Sequence, residues 1–173
     1  IYTALSRLDN VPDSEAYGVE GELTIRPATG LTIAANALYL KTRINDYNGT
    51  NAAGQPQNFD GAEFIYSPKF QGSVTIAYDT PVSDTVDLTG AVSARYQSKS
   101  NTIFEDLDLY KVDAYGTVNA SLGLKDESGW SVSLWAKNLF DKYYWSAVAS
   151  NANVVVRFAN QPRTYGLTVG YDF

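Results

Sequence analysis

The segment KNLFDKYYW, residues 137–145, follows a stretch that alternates between apolar and polar residues as a β-strand does. The alternating stretch, WSVSLWA, covers residues 130–136. Four aromatic side chains then follow close together: Phe140, Tyr143, Tyr144 and Trp145. Aromatic rings are apolar, but the OH or NH group of tyrosine or tryptophan favours water, so such a group suits a boundary between an apolar and an aqueous phase. The pattern predicts one long strand over 130–145 that ends at such a boundary.

The same two-residue period runs through most of the chain and predicts seven full strands, with a partial one at 1–8. The full strands are predicted at 15–26, 31–43, 67–79, 85–97, 113–124, 130–145 and 162–173. Turn-forming stretches such as RPATG, TPVSD and KDESG separate them. Because no segment has a helical period, we expect antiparallel hairpins.

The two faces of the predicted strands differ in charge. Alternate residues from Tyr17 to Ile25, and from Leu31 to Tyr39, carry no charge, and the other strands follow the same rule. The intervening positions hold the charged residues of these stretches: Glu20, Glu22, Arg26, Asp79, Asp87, Arg95, Lys137 and Asp172. Charged residues make up 18% of the chain, so chance would have placed several of them on the uncharged face.

A soluble β-sandwich also has one apolar face, but the predicted strands exceed the usual length of about 5–6 residues. Their polar face holds mostly small neutral residues, and short turns alternate with long segments near 47–65, 98–112 and 146–161. Short turns at one rim and long loops at the other are typical of outer-membrane barrels. The sequence therefore predicts an all-β, antiparallel transmembrane β-barrel that contacts the lipid bilayer through its uncharged face.

Aromatic residues are expected at the two membrane surfaces of such a barrel. The sequence predicts an upper belt at the rim with the long loops: Tyr39, Tyr96, Tyr143, Tyr144 and Trp145. It predicts a lower belt at the rim with the short turns: Tyr78, Trp130, Tyr171 and Phe173.

Composition excludes several classes of function. The chain has no His and no Cys, so it lacks imidazole and thiolate metal ligands and His-activated nucleophiles. Its formal net charge of -6, without any run of Lys or Arg, argues against a nucleic-acid partner. We predict that it is not an enzyme and has no cofactor, catalytic residue or metal site. Because it opens on IYTALSRL, without an initiator Met, we expect it to be part of a longer protein.

Several motifs together resemble TonB-dependent receptors of the bacterial outer membrane. NLFDKYY at 138–144, followed by PRTYGLTVGYDF at 162–173, resembles the C-terminal end of these receptors. AYGVEGELTIRPATGLTIAANALYLKT at 16–42 is similar to an earlier hairpin of the family, and YSPKFQGSVTIAYD at 66–79 to a strand with a Pro-Lys pair. The resemblance covers nearly the whole chain.

The resemblance implies a 22-stranded barrel of which residues 1–173 supply about the last eight strands. It implies an N-terminal plug domain, absent from this chain, and energy delivered through TonB, which the missing N-terminal part would contact. The expected function is active uptake across the bacterial outer membrane of a small-molecule solute such as a ferric siderophore. The chain end, with Tyr171 and Phe173, is similar to the signal read by the outer-membrane insertion machinery, although Thr168 stands where that signal prefers Gly.

Contacts to the solute or the plug are predicted at few positions. Arg157 and Phe158, in the segment 146–161, could meet an anionic, partly aromatic solute or belong to an ordinary loop. Four charged residues on the polar face are expected to line the plug-facing wall, paired with each other or with the plug: Glu20, Glu22, Asp87 and Arg95. The alternative function is a complete eight-stranded barrel with an adhesin, anchor or structural role, although its small interior residues would fill so narrow a barrel poorly.

Overall fold

The computed structural model describes residues 10–151 and 154–172. Within these residues the chain forms strands β1 to β13 and one short 3-10 helix, Asp108–Tyr110. The strands are β1 (Asp13–Ala28), β2 (Leu31–Asp46), β3 (Asn48–Thr50), β4 (Pro56–Asn58), β5 (Phe70–Pro81), β6 (Val86–Gln97), β7 (Ser100–Asn101), β8 (Lys111–Val112), β9 (Tyr115–Asp126), β10 (Trp130–Lys137), β11 (Trp145–Asn151), β12 (Val154–Ala159) and β13 (Thr164–Tyr171). In this part of the chain, no helix has the length and apolar character needed to span a membrane.

Seven strands form one antiparallel sheet in the order β1-β2-β5-β6-β9-β10-β13. Six of the predicted strands match strands of this sheet to within three residues at each end. The prediction of one strand over 130–145 was wrong, because β10 ends at Lys137 and a separate hairpin, β11-β12, begins at Trp145. The predicted partial strand at 1–8 lies outside the described residues. The edge strands β1 and β13 do not pair with each other in the described sheet, so it is an open wall.

The register confirms the sorting of residues into two faces. One row of directly opposed residues crosses all seven strands: Ile25, Ile33, Ile76, Val92, Ala120, Ala136 and Tyr165. Within the described residues, no other segment packs over the apolar side chains of this face: Val92 is 49% exposed and Leu134 is 61% exposed. The adjacent row on the other face contains Thr24, Ala34, Thr75, Ser93 and Asn119. We call these two surfaces the apolar face and the polar face.

Short turns join the strands at one rim, which we call the short-turn rim. Gly30, between β1 and β2, has φ 76°, and a Cβ at this position would overlap the carbonyl oxygen of Asp79 on the neighbouring strand. Gly129, between β9 and β10, has φ 98°. Glycine is needed at both turns because other residues rarely adopt positive φ.

The best-buried apolar side chains lie at the opposite, long-loop rim, where the three long connections pack together. Among the described residues, the buried hydrophobic side chains are Ile44, Phe59, Val112 and Val148. The rings of Tyr47, Phe59 and Phe104 pack with centroids 5.5 to 5.8 Å apart. The hydroxyl of Tyr66 donates a hydrogen bond to the carbonyl of Val148 at 2.9 Å. The connections therefore form one packed layer above the sheet rather than separate loops.

Candidate functional site

Asn138 ends strand β10 and turns the chain away from the sheet. It has φ 49°, a left-handed conformation that Asn adopts more readily than most residues, and its side chain is buried, with the residue 7% exposed. Its Nδ2 donates to the carbonyls of Lys142 at 3.0 Å and Gln161 at 3.2 Å. Its Oδ1 accepts from the Lys142 amide at 2.9 Å, and the Asn138 amide donates to Oδ1 of Asn119 at 3.0 Å. These bonds hold the segment from 139 to 144 against the end of the sheet.

This turn places Tyr144 on the polar face. Its ring stacks on Tyr115, with centroids 3.8 Å apart and planes inclined by 20°. Tyr115 lies opposite Gln97 in the register and donates its hydroxyl to Gln97 Oε1 at 2.9 Å. The pKa of Tyr144 is raised, mainly because the side chain is partly buried and to a smaller extent because of Tyr115. The nearby charge of Arg95 lowers this pKa by less than burial raises it. Tyr144 is therefore a neutral group at ordinary pH.

A second aromatic group on the polar face is centred on Trp135. Trp135 lies opposite Gly166, and a Cβ on that glycine would stand 2.5 Å from the indole ring. The indole Nε1 donates to Thr168 Oγ1 at 3.1 Å, and Lys137 Nζ lies 5.7 Å from the ring centroid. The ring thus lies across Gly166 beside an exposed cation.

We call the residues of these two groups the wall site: Arg95, Gln97, Tyr115, Trp135, Lys137 and Tyr144. Trp135 lies opposite Ser121, so its group is centred about 20 Å from Tyr115 along β9. Sequence reasoning identified Arg95 as a wall residue but missed Tyr115 and Trp135. Both are large aromatic residues at polar-face positions of strands whose other polar-face residues are mostly small. That contrast was the signal in the sequence that could have identified them.

Two other predicted contact residues, Arg157 and Phe158, lie on β12. Arg157 Nη2 donates to the carbonyl of Leu109 at 3.2 Å, and its guanidinium carbon lies 5.7 Å from the ring centroid of Trp145. Arg157 therefore links β12 to the connection that contains Leu109. Phe158 is 51% exposed. Contact of either residue with a solute stays a prediction.

The four charged residues expected to line the wall do not pair with each other. Glu22 and Arg95 belong to one row of the polar face, but β2 and β5 lie between their strands. Three strand spacings of about 4.8 Å separate them by about 14 Å. Glu20 lies on the same strand as Glu22, and Asp87 lies directly opposite Lys125 near the short-turn rim. Pairing with a plug domain stays a prediction.

Five of the residues predicted for the aromatic belts lie on the apolar face, each 43 to 54% exposed: Tyr39, Tyr78, Tyr96, Trp130 and Tyr171. Tyr143 and Trp145 follow the Asn138 turn and contact each other edge to face, with centroids 5.1 Å apart. Tyr144, predicted for the same belt, lies on the polar face as described above, and Phe173 lies outside the described residues. The position of these rings at a membrane surface stays a prediction.

No three acidic side chains in the described ranges cluster closely enough to hold a metal ion. The candidate site is an aromatic and cationic surface, suited to stacking and to contacts with negative charge.

A comparison with protein families assigns the fold. The family model described as TonB dependent receptor-like, beta-barrel matches residues 2–139. The chain belongs to this family. The resemblance seen in the sequence is thereby confirmed, as is the all-β antiparallel fold class, and the family is one of outer-membrane receptors and transporters rather than enzymes.

Three solved structures of bacterial receptors share the fold. The ferric yersiniabactin uptake receptor FyuA from Yersinia pestis superposes with a TM-score of 0.78 at 21% identity, over 92% of this chain and 24% of that one. The siderophore receptor PiuA from Acinetobacter baumannii gives 0.75 at 19% identity, over 91% and 22%. The ferric preacinetobactin receptor BauA from the same organism gives 0.70 at 24% identity, over 92% and 22%. The chain thus spans less than a quarter of the length of these receptors.

Proposed function

We propose that this chain is the C-terminal part of the barrel wall of an active uptake receptor in the bacterial outer membrane, with a ferric siderophore or a similar scarce solute as its cargo. Membership of the TonB-dependent receptor family supports this proposal. The ligands named for FyuA (ferric yersiniabactin), PiuA (a siderophore) and BauA (ferric preacinetobactin) support the choice of cargo. The plug domain, TonB and the outer-membrane insertion machinery would be the partners of the whole receptor.

The observation that carries the proposal is the chemical contrast between the two faces of the sheet. The apolar face leaves Leu134 61% exposed and Tyr165 80% exposed, a state that water disfavours over so large a continuous surface. Contact with lipid removes this cost. The polar face carries Ser73, Thr75 and Ser93 in the middle of the wall, and side chains of this size leave room for a plug domain to pack against the wall.

The wall site supports an anionic, partly aromatic cargo. The stacked rings of Tyr115 and Tyr144 lie near Arg95, and Trp135 lies beside Lys137. Aromatic faces stack on flat conjugated groups, and exposed Arg and Lys attract negative charge. Cargo with aromatic iron-chelating groups and net negative charge would be complementary to both features.

Iron uptake tests the proposal. The gene that encodes the receptor is deleted, and cells grown under iron limitation are offered radiolabelled iron bound to catecholate, phenolate or hydroxamate chelators in turn. We expect uptake of at least one aromatic complex to be lost and to return when the gene is restored. Unchanged uptake of every complex after deletion would contradict the proposed cargo.

Substitutions then test the wall site. Arg95→Gln with Tyr144→Ala should reduce uptake several-fold, while the amount of folded receptor in the outer membrane stays the same. Lys125→Gln is the matched control. Lys125 also lies on the polar face, on β9, but near the short-turn rim. Equal uptake by both variants and the parent would exclude Arg95 and Tyr144 from cargo binding.

A further inference from the structure

Three cations lie at the long-loop rim beside the apolar face of β1 and β2: Lys41, Arg43 and Lys69. Together with Tyr17 and Tyr39 they line a cleft of about 330 Å³. We call the three cations the rim basic patch. Lys41 and Arg43 share the parity of Tyr39, so their side chains leave the sheet on the apolar face. Lys41 and Arg43 therefore continue the surface that the proposed function places against lipid, and Lys69 lines the same cleft.

The strand register gives the position of the patch along β2 relative to the aromatic residues of the apolar face. Tyr39 lies opposite Val19 on one side and Phe70 on the other, within the apolar face. At about 3.3 Å per residue, the Cα atom of Lys41 lies about 7 Å beyond that of Tyr39 along β2, and Arg43 about 13 Å beyond it. The cations thus begin where the aromatic residues of the apolar face end. Long basic side chains can keep their stems on apolar surface while the charged ends reach a polar layer.

The charges of the patch are only partly neutralised by the protein. Lys69 Nζ contacts Glu63 Oε1 at 2.5 Å, and this hydrogen bond raises the pKa of Lys69 and keeps it protonated. Lys41 and Arg43 are exposed, and no ion pair within the described residues involves them. Glu15 lies opposite Arg43 in the register and lines the same cleft. The patch keeps a net positive charge of one when both glutamates are counted.

We propose that the rim basic patch binds the phosphate group of an anionic lipid in the outer leaflet. Lys41 and Arg43 supply charged donors for the phosphate oxygens, while Tyr17 and Tyr39 line the same cleft. The acyl chains of this lipid lie on the apolar face below. Basic groups at a membrane surface attract anionic headgroups. The site rests on the membrane contact in the proposed function but is independent of the cargo.

Lipid titration of the intact, detergent-solubilised receptor tests this site. Phosphatidic acid, a lipid with an exposed phosphate, is titrated into the receptor in neutral phosphatidylcholine micelles, and native mass spectrometry counts the bound lipid. The variant Lys41→Gln/Arg43→Gln/Lys69→Gln should bind phosphatidic acid at least about tenfold more weakly, because each lost cation removes attraction to the headgroup. Lys125→Gln should bind like the parent, and binding of phosphatidylcholine should not change.

Two further measurements identify the source of the bound phosphate group and check that the triple variant is folded. Millimolar inorganic phosphate should not displace phosphatidic acid, and displacement would overturn the proposal in favour of a free-phosphate site. Heat modifiability in gel electrophoresis checks that the triple variant is folded. If the folded triple variant binds phosphatidic acid as tightly as the parent, the proposal is overturned. Failure of the cargo proposal is distinguishable, because it would appear as unchanged iron uptake after deletion of the gene and would leave the result of this lipid titration as it is.

Discussion

Replacing Asn138 with alanine should loosen the segment that connects β10 to the β11-β12 hairpin. The Asn138 side chain makes three hydrogen bonds, two as donor to carbonyls and one as acceptor from the Lys142 amide. Alanine makes none of them and leaves the amide of Lys142 and the carbonyl of Gln161 without these partners in a partly buried place. Alanine also adopts the φ of 49° at this position less readily than Asn.

The magnitude follows from these two effects. Three hydrogen bonds at a net value of about 1 kcal/mol each amount to about 3 kcal/mol. The left-handed backbone conformation adds about 1 kcal/mol for alanine. The free energy of opening this segment should therefore fall by about 4 kcal/mol. If the opening free energy of the parent is smaller than that, the segment should lose its protection from hydrogen exchange altogether. Asn138→Gly should cost about 1 kcal/mol less than Asn138→Ala, because glycine adopts positive φ freely.

Hydrogen exchange in the intact receptor measures this effect, with the amide of Lys142 as the main probe. Asn48→Ala is the control, since the side chain of Asn48 is exposed and accepts one hydrogen bond, from Asn58. We expect faster exchange over 138–145 in Asn138→Ala and no change there in Asn48→Ala. The reasoning is refuted if both variants exchange like the parent, or if Asn138→Gly exchanges faster than Asn138→Ala.

Three other outcomes follow from the fold. Val92→Arg, on the apolar face, should destabilise the receptor in bilayers by about 2–4 kcal/mol; its neighbour Ser93→Arg should cost less, and reversible unfolding with the reverse order would invert the face assignment. Gly166→Ala should displace the ring of Trp135, since the new Cβ would stand 2.5 Å from it; an unchanged tryptophan emission spectrum would contradict this. Removing Phe173 should lower the amount of folded receptor in the outer membrane without changing its synthesis; equal amounts would remove its role in insertion.

The sheet could be predicted from the sequence because its two faces meet different environments. The alternation from Leu31 to Tyr39 and from Phe70 to Tyr78 reports which side chains share a face, and the register confirms it. Family motifs such as YSPKFQGSVTIAYD at 66–79 then identified the receptor family. These signals are local and repeat along each strand, so a single sequence was enough to read them.

The segment after Lys137 could not be predicted in the same way. Asn138 ends the strand through bonds to Gln161 and Asn119, which are distant in sequence, and alternation reports no such contacts. The apolar pattern of KNLFDKYYW therefore suggested a continued strand. The stack of Tyr144 on Tyr115 depends on that turn, so the wall site was missed together with it. The packed layer of long connections depends equally on contacts between distant segments.

Contact of the apolar face with lipid is the central claim, and spin-label accessibility along β6 tests it most directly. The chain has no Cys, so single cysteines introduced here carry the only labels within it. With the intact receptor in bilayers, labels at Val92 and Ala94 should collide mainly with oxygen dissolved in the lipid. Labels at Ala91 and Ser93 should show low oxygen accessibility, so that accessibility alternates with a period of two. Uniform accessibility to a water-soluble nickel reagent at all four positions, with no excess of oxygen at Val92, would contradict the account.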